Sequence, residues 1–206
     1  MKFIDFKNTF SKEPVIDIQN VINFFGKIDK RRLYEWQQKQ YIERLANNYY
    51  IFTDYQINDA LLKHIANTIY SPSYIAQESA LSFYQLIPEA VFQMTSLTTR
   101  KTKQLQNHLA SFRYQSIHRS LFFGYTIRGK KNSPYYISDP EKTILDYLYY
   151  NSHLKTEDDF ESMRLNRDIF VDLINPSRLK KYLQLFKHQQ LEKRLIKLER
   201  WLDVKF

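Results

Sequence analysis

The feature that most constrains this chain is a change of hydrophobic period within its first 69 residues. Ile18, Val21, Ile22 and Phe25 recur at the spacing of one helix face, and Gly26 follows where a helix would end. Asp29 is placed to cap a second helix running to about Gln40, because its side chain can accept from the free N–H groups of the first turn. The period then shortens. Tyr41–Ala46 and Tyr49–Phe52 read as two strands joined by Asn47-Asn48, and Asn tolerates the left-handed backbone that tight hairpin turns demand. Ile57, Leu61 and Ile65 then return to helical spacing. With one more helix at the start, the order is helix, helix, helix, hairpin, helix. This is the plan of a winged helix-turn-helix, in which the helix before the hairpin enters the DNA major groove.

Past residue 69 the signals mix. Ala76, Ala80, Phe83 and Tyr84 make a helical face whose small members permit close packing. Val91–Leu97, Ser111–Gln115, Phe122–Thr126 and Tyr135–Ile137 read as strands by their aromatic and β-branched content. Asp139-Pro140-Glu141 opens a helix, with Pro in the first turn and an acid at the positive end of the dipole. The remainder is expected to be helical over Glu157–Leu173, Ser177–Lys187 and Gln190–Leu202, with Asn175-Pro176-Ser177 as a break. The stripes Leu179, Tyr182, Leu183, Phe186 and Leu191, Leu195, Leu198, Leu202 belong to its core. The expected fold class is α+β: a winged helix-turn-helix DNA-binding domain at 1–69, then a mixed α+β domain with a helical C-terminus at 70–206.

Composition removes several functions. There is no Cys among the 206 residues, so thiol catalysis, disulfides and thiolate metal sites are excluded. Five His residues (His64, His108, His118, His153, His188) form no i, i+3 or i, i+4 pair, and no metal site or cofactor is expected. Three glycines leave no Gly-rich phosphate cradle. No apolar run is long enough for a bilayer span and no signal-peptide core opens the chain, so a cytoplasmic protein is expected. The net charge of +9 is spread along the chain: 10 basic against 8 acidic residues over 1–69, 9 against 5 over 70–151, and 12 against 9 over 152–206. A distributed basic surface favours nucleic acid, since phosphate contacts supply most non-specific affinity.

Four blocks in the middle carry a family likeness. They are Tyr70-Ser-Pro-Ser-Tyr-Ile-Ala-Gln-Glu-Ser-Ala-Leu-Ser-Phe-Tyr-Gln-Leu-Ile-Pro-Glu89, Thr95-Ser-Leu-Thr-Thr-Arg-Lys-Thr102, Leu121-Phe-Phe-Gly-Tyr125 and Ile137-Ser-Asp-Pro-Glu-Lys-Thr-Ile-Leu-Asp-Tyr-Leu148. In this order they resemble the AbiEi family, the antitoxin-regulators of type IV (abortive-infection) toxin–antitoxin systems. The resemblance implies a transcriptional repressor that binds double-stranded DNA at paired repeats in its own promoter. It also implies phage defence through antagonism of a cognate nucleotidyltransferase toxin, without a stable complex between the two. The first hairpin departs from the family pattern, which carries a Gly before the first strand and basic residues with Gly at the tip. Here Gln40 and Asn47-Asn48 stand in those places, with only Arg44 nearby. That weakened hairpin keeps open a second reading, a basic protein-interaction module without specific DNA readout.

Candidate contact residues follow from a helical wheel. Leu33 and Trp36 point into a core, while Lys30, Arg31, Tyr34 and Gln38 cluster on the other side, with Arg32 and Lys39 flanking. Arg and Gln can bond guanine and adenine edges bidentately, whereas Tyr and Lys favour phosphate. The expected DNA-binding set is therefore Lys30, Arg31, Arg32, Tyr34, Gln38, Lys39 and Arg44. A second basic surface is expected among Arg100, Lys101, Lys103, Arg113, Arg119 and Arg128, with Arg113 facing solvent between packed Phe112 and Tyr114. Thr98–Lys103 reads either as a phosphate-contacting loop or as a turn whose hydroxyls satisfy backbone groups. An enzyme is not expected. Asp139 and Glu141 serve as cap and first-turn acid, Asp146 lies about 140° from Glu141 around the helix, and no nucleophile–base–orienter set is found.

Overall fold

The computed structural model describes residues 1–204, a mixed α+β chain with ten α-helices and two sheets among them. None of these helices is long and apolar enough to cross a membrane. The first unit runs α1 (Phe3–Phe10), β1 (Ile16–Asp17), α2 (Ile18–Phe25), α3 (Lys30–Gln38), β2 (Ile42–Ala46) and β3 (Tyr49–Phe52). Its three strands pair antiparallel in the order β1-β3-β2. The caps lie where the side chains dictate: Asp17 accepts from Gln19 N and Asp29 from Arg31 N, both at 2.9 Å. Gly26 ends α2 at φ 80. The second helix stops at Gln38, two residues earlier than expected, and Gln40 takes the left-handed φ of 54.

At the hairpin only Asn48 is left-handed (φ 66), and a bulge between Arg44 and Ala46 supplies the rest of the reversal. Phe6, Phe10, Ile16, Val21, Leu33, Trp36, Ile42 and Phe52 fill this unit's own core. Trp36 stacks on Phe6 at 4.8 Å and meets the edge of Phe3 at 5.3 Å.

The second sheet has six strands in the order β6-β7-β5-β4-β9-β8, with β4–β9 and β5–β7 parallel and the other pairs antiparallel. The strands are β4 (Ser73–Ile75), β5 (Gln93–Thr98), β6 (Lys103–Gln106), β7 (Ser111–Ser116), β8 (Tyr125–Lys130) and β9 (Ser133–Ser138). One face packs on α4 (Asp59–Ile69) through Ile65, Ala66, Ile75, Phe112, Tyr114 and Ile137. Val15, Leu45 and Ile51 of the first unit join this same cluster. Tyr114 Oη donates to Ala66 O at 2.7 Å, and His64 Nδ1–H donates to Pro134 O at 2.6 Å. Burial lowers the pKa of His64, and its bond to that carbonyl opposes the shift.

The opposite face carries α5 (Gln77–Phe83), α6 (Pro140–Tyr150), α7 (Glu157–Ser162), α8 (Arg167–Leu173), α9 (Pro176–Phe186) and α10 (Gln189–Trp201). Leu179, Phe186, Leu191, Leu195, Leu198 and Leu202 are buried there. Arg113 is exposed between buried Phe112 and Tyr114, as strand alternation requires.

Besides the early end of α3 and the short strand β1, which no sequence signal gave, four elements differ from the sequence expectation. The continuous helix over Glu157–Leu173 is broken into α7 and α8. Met163 and Leu165 both turn into the core, Arg164 takes φ 51 between them, and Asn166 caps α8 by accepting from Ile169 N. The strand expected over Phe122–Thr126 begins only at Tyr125, because Gly124 (φ 66) turns the chain after two inward-packed rings. β4 had no alternation to betray it, since all three of its residues are buried. β6, at a sheet edge, is Lys-Gln-Leu-Gln with only Leu105 partly buried.

Candidate nucleic-acid interface

α3 is anchored by Leu33 and Trp36, 6% and 4% exposed, and everything opposite them faces solvent. Lys30, Arg31, Arg32, Tyr34, Gln38 and Lys39 are all exposed, with Glu35 the one acid among them. Among the described residues, none of Lys30, Arg31, Arg32 and Lys39 forms an ion pair. Arg31 and Gln38 crown the helix. Lys30 and Tyr34 lean to one flank, where a groove of about 370 Å³ also receives Arg44 and Asn48 of the hairpin. Arg32 and Lys39 fall on the other flank by the helix period.

The hairpin itself is occupied. Arg44 Nη2 donates to Asn47 Oδ1 and its Nε to Ala46 O, so the guanidinium braces its own turn. The outer strand is held by the second unit: Asn107 Nδ2 donates to Leu45 O at 3.1 Å, and His108 pairs with Glu43.

The six basic residues anticipated in the second unit are exposed and are carried by several different elements. Arg100 lies over the Tyr70 ring at 4.2 Å and Lys103 over the same ring at 5.0 Å, while Tyr70 Oη donates to Lys101 O. Of these three, Arg100 is felt in the first unit: burial raises the pKa of Tyr49 in β3, Asp17 raises it further, and Arg100 opposes both. Arg113 lines a separate cleft with Glu78, Phe92 and Tyr147. Arg119 opens a short 3-10 turn, and Arg128 lies on the edge strand β8. In the Thr98–Lys103 loop two hydroxyls serve the backbone. Thr98 Oγ1 donates to Pro72 O and accepts from Arg100 N, and Thr102 Oγ1 accepts from Ser116 N. Arg100 of the loop is itself partly engaged, its Nη1 donating to Ser71 O.

Three of the four sequence blocks quoted above meet in the interior. Tyr74 comes from the first block, Phe122 and Phe123 from the third, Lys142 and Asp146 from the fourth. Lys142 Nζ donates to Asp146 Oδ1 and to Tyr74 Oη (2.9 Å), and Tyr74 Oη donates to Asp146 Oδ2 (3.0 Å). Lys142 and Asp146 are fully buried. The Phe123 and Phe186 rings stand 5.1 and 5.0 Å from the ammonium. A Cβ on Gly124 would meet Lys142 Cβ at 3.1 Å, which accounts for that glycine's place in the block. Burial pushes Asp146 up to about 6 and Lys142 below its ordinary range, and each partner holds the other against that shift.

Reasoning from the sequence gave Lys142 and Asp146 no role. Their i, i+4 spacing, which places them on one helix face, was the signal available. Asp139 and Glu141 go beyond capping: Asp139 accepts from Tyr182 Oη (2.9 Å), and Glu141, buried, accepts from Asn175 N (2.7 Å), tying α6 to α9.

No set of three or more His, Cys, Asp or Glu able to hold a metal occurs among the described residues. Comparison of the chain with protein-family models and with curated proteins finds no match.

Proposed function

We propose that this chain is a DNA-binding transcriptional autorepressor and the antitoxin of a type IV toxin–antitoxin operon, of the kind its four sequence blocks resemble. In this reading α1–β1–α2–α3–β2–β3 is a winged helix-turn-helix, α3 is its recognition helix, and the protein works in the cytoplasm against a nucleotidyltransferase toxin. The observation that carries the reading is the outer face of α3, where Lys30, Arg31, Tyr34 and Gln38 stand exposed on a helix anchored by Trp36. Arg31 and Gln38 are the side chains suited to base edges, and Lys30, Tyr34, Arg32 and Lys39 are suited to flanking phosphates. The hairpin contributes little charge, because Arg44 is spent on its own turn. Arg100, whose charge is felt at Tyr49 of β3, adds a cation on the side of that hairpin.

The deciding experiment titrates the protein against a duplex spanning its own promoter and against a random duplex of equal length, at low and at physiological salt. Preferential binding to the promoter that falls steeply with salt is expected. Weak, equal and salt-insensitive binding would instead favour a basic protein-interaction module, the reading that the occupied hairpin permits.

A further inference from the structure

The large sheet is not closed between β4 and β9. The two strands are in register only at Ile75 and Ile137. Ahead of that point Asn67 of α4 spans the gap: its Nδ2 donates to Ser73 Oγ (3.4 Å) and its Oδ1 accepts from Tyr136 N (2.7 Å). A slot of about 210 Å³ opens there, with Asn67, Ser71 and Ser73 as its polar members and Phe122, Tyr125 and Tyr136 as its walls.

The walls are held in place. Tyr125 stacks on Tyr74 at 5.1 Å and 19°, Phe122 lies against both rings at 5.1 and 5.2 Å, and Tyr136 meets Tyr125 edge-on at 5.8 Å. Tyr74 in turn is fixed through its hydroxyl by Lys142 and Asp146. Even so, Tyr125 and Tyr136 remain 37% and 40% exposed. A rigid aromatic surface left open to solvent is what a planar ligand needs, because little ordering remains to be done on binding.

Two further features restrict the ligand. No acidic residue lines the slot. At its rim Arg100 Nη1 donates to Ser71 O (3.1 Å), so a cation stands beside the entrance. Inside, Ser73 Oγ accepts from Asn67 and keeps its own proton to donate. Planar walls, a hydroxyl donor and a cationic rim together match a flat heterocycle attached to phosphate.

We infer that this slot takes an unpaired nucleobase, stacked on the exposed ring of Tyr136 and abutting Tyr125, whose ring stands at 88° to it, with its polar edge at the Ser71 and Ser73 hydroxyls and its phosphate at Arg100. A base inside a duplex cannot enter, since neighbouring bases occupy both of its faces. The site is therefore separate from any double-stranded contact of α3. The nucleobase can belong to a single strand or to a free nucleotide, and the chemistry is the same for both.

Anisotropy titration of the full chain with short labelled oligothymidylate and oligoadenylate tests this, with adenosine and uridine monophosphates as competitors. Single-strand binding is expected, weakened roughly ten- to a hundredfold by Tyr136→Ala and nearly unchanged by Tyr136→Phe. Binding to the promoter duplex should not change with either variant. Competition by the monophosphates assigns the site to free nucleotides, and its failure assigns it to single strands; either result supports the slot. As a check independent of variant folding, a strand carrying a photoreactive thymidine should crosslink to Tyr125 or Tyr136 of the unmodified protein. Absence of both strand and nucleotide binding at low salt, insensitivity to Tyr136→Ala, or crosslinks confined to α3 would overturn the inference.

Discussion

The two halves of the molecule treat charge in opposite ways. In residues 1–55 no charged side chain is buried, and the core is aliphatic and aromatic throughout. In the second half Glu141, Lys142, Asp146 and Arg194 lie inside the packed layer between sheet and helices. α6 is buried nearly all round, with Lys142 and Asp146 closing on Tyr74 and with Leu148 O accepting from Arg194. The contrast separates two uses of the same residue types. A charge on an exposed helix face is available to a partner and contributes little to the fold. A charge inside is committed to its neighbours, and its removal strands them.

The largest effect should come from the interior. Lys142→Ala leaves Asp146 without its cation in a fully buried place, and a loss of about 3–5 kcal/mol is expected, measured by urea denaturation. The triple variant Lys142→Met, Asp146→Leu and Tyr74→Phe should recover most of that loss, because neither an unpaired charge nor an unpartnered buried hydroxyl remains. If the single variant costs less than about 1 kcal/mol, the range of an exposed ion pair, the contrast between the two halves fails.

The first half should respond by position. Trp36→Ala removes a buried ring packed on Phe3 and Phe6, and about 3–5 kcal/mol of stability should go with it. Arg31→Ala and Gln38→Ala, three turns or less away on the exposed face, should leave stability within about 0.5 kcal/mol of the parent. Each should nevertheless cost about 1–3 kcal/mol of discrimination between promoter and random duplex in a binding titration. An Arg31→Ala chain that unfolds, beside a Trp36→Ala chain that does not, would reverse the assignment of the two faces.

The same contrast explains what could be read from the sequence. The first unit was legible because its apolar residues keep helix or strand period and its polar residues lie outside, so Asp29, Leu33, Trp36 and the Asn47-Asn48 turn each carried a local signal. In the second unit the signals failed where burial is two-sided or the strand is polar. Ser73–Ile75 is buried on both faces and shows no alternation, while Lys103–Gln106 is a nearly apolar-free edge. Lys142 and Asp146 were given no role from the sequence, because an i, i+4 pair of opposite charges does not by itself show burial. Only the tertiary closure of Tyr74, Phe123 and Phe186 around them makes them interior. Gln40 is an intermediate case: a left-handed backbone is demanded there, and a residue other than Gly or Asn gives no hint of it.

The smallest effect distinguishes inner from outer carboxylates within the second half. Asp146 is pushed up by burial, whereas Asp159, partly exposed in the first turn of α7, is held down at about 2 by accepting from Lys155 N and Thr156 N, each at 2.8 Å. A depressed carboxylate binds its proton less readily in the folded chain than in the unfolded one. Its contribution is therefore complete above the unfolded value near 3.8 and is lost as pH falls toward 2. Asp159→Asn keeps an acceptor at the cap but removes the charge that favours the positive end of the helix. The variant should be slightly less stable than the parent at neutral pH, and the gap should close as both are taken toward pH 2. Paired denaturation curves at neutral and acidic pH measure this gap. A gap that stays constant across the window would mean that the Thr156 cap is held by geometry alone, with no part played by the ionised side chain.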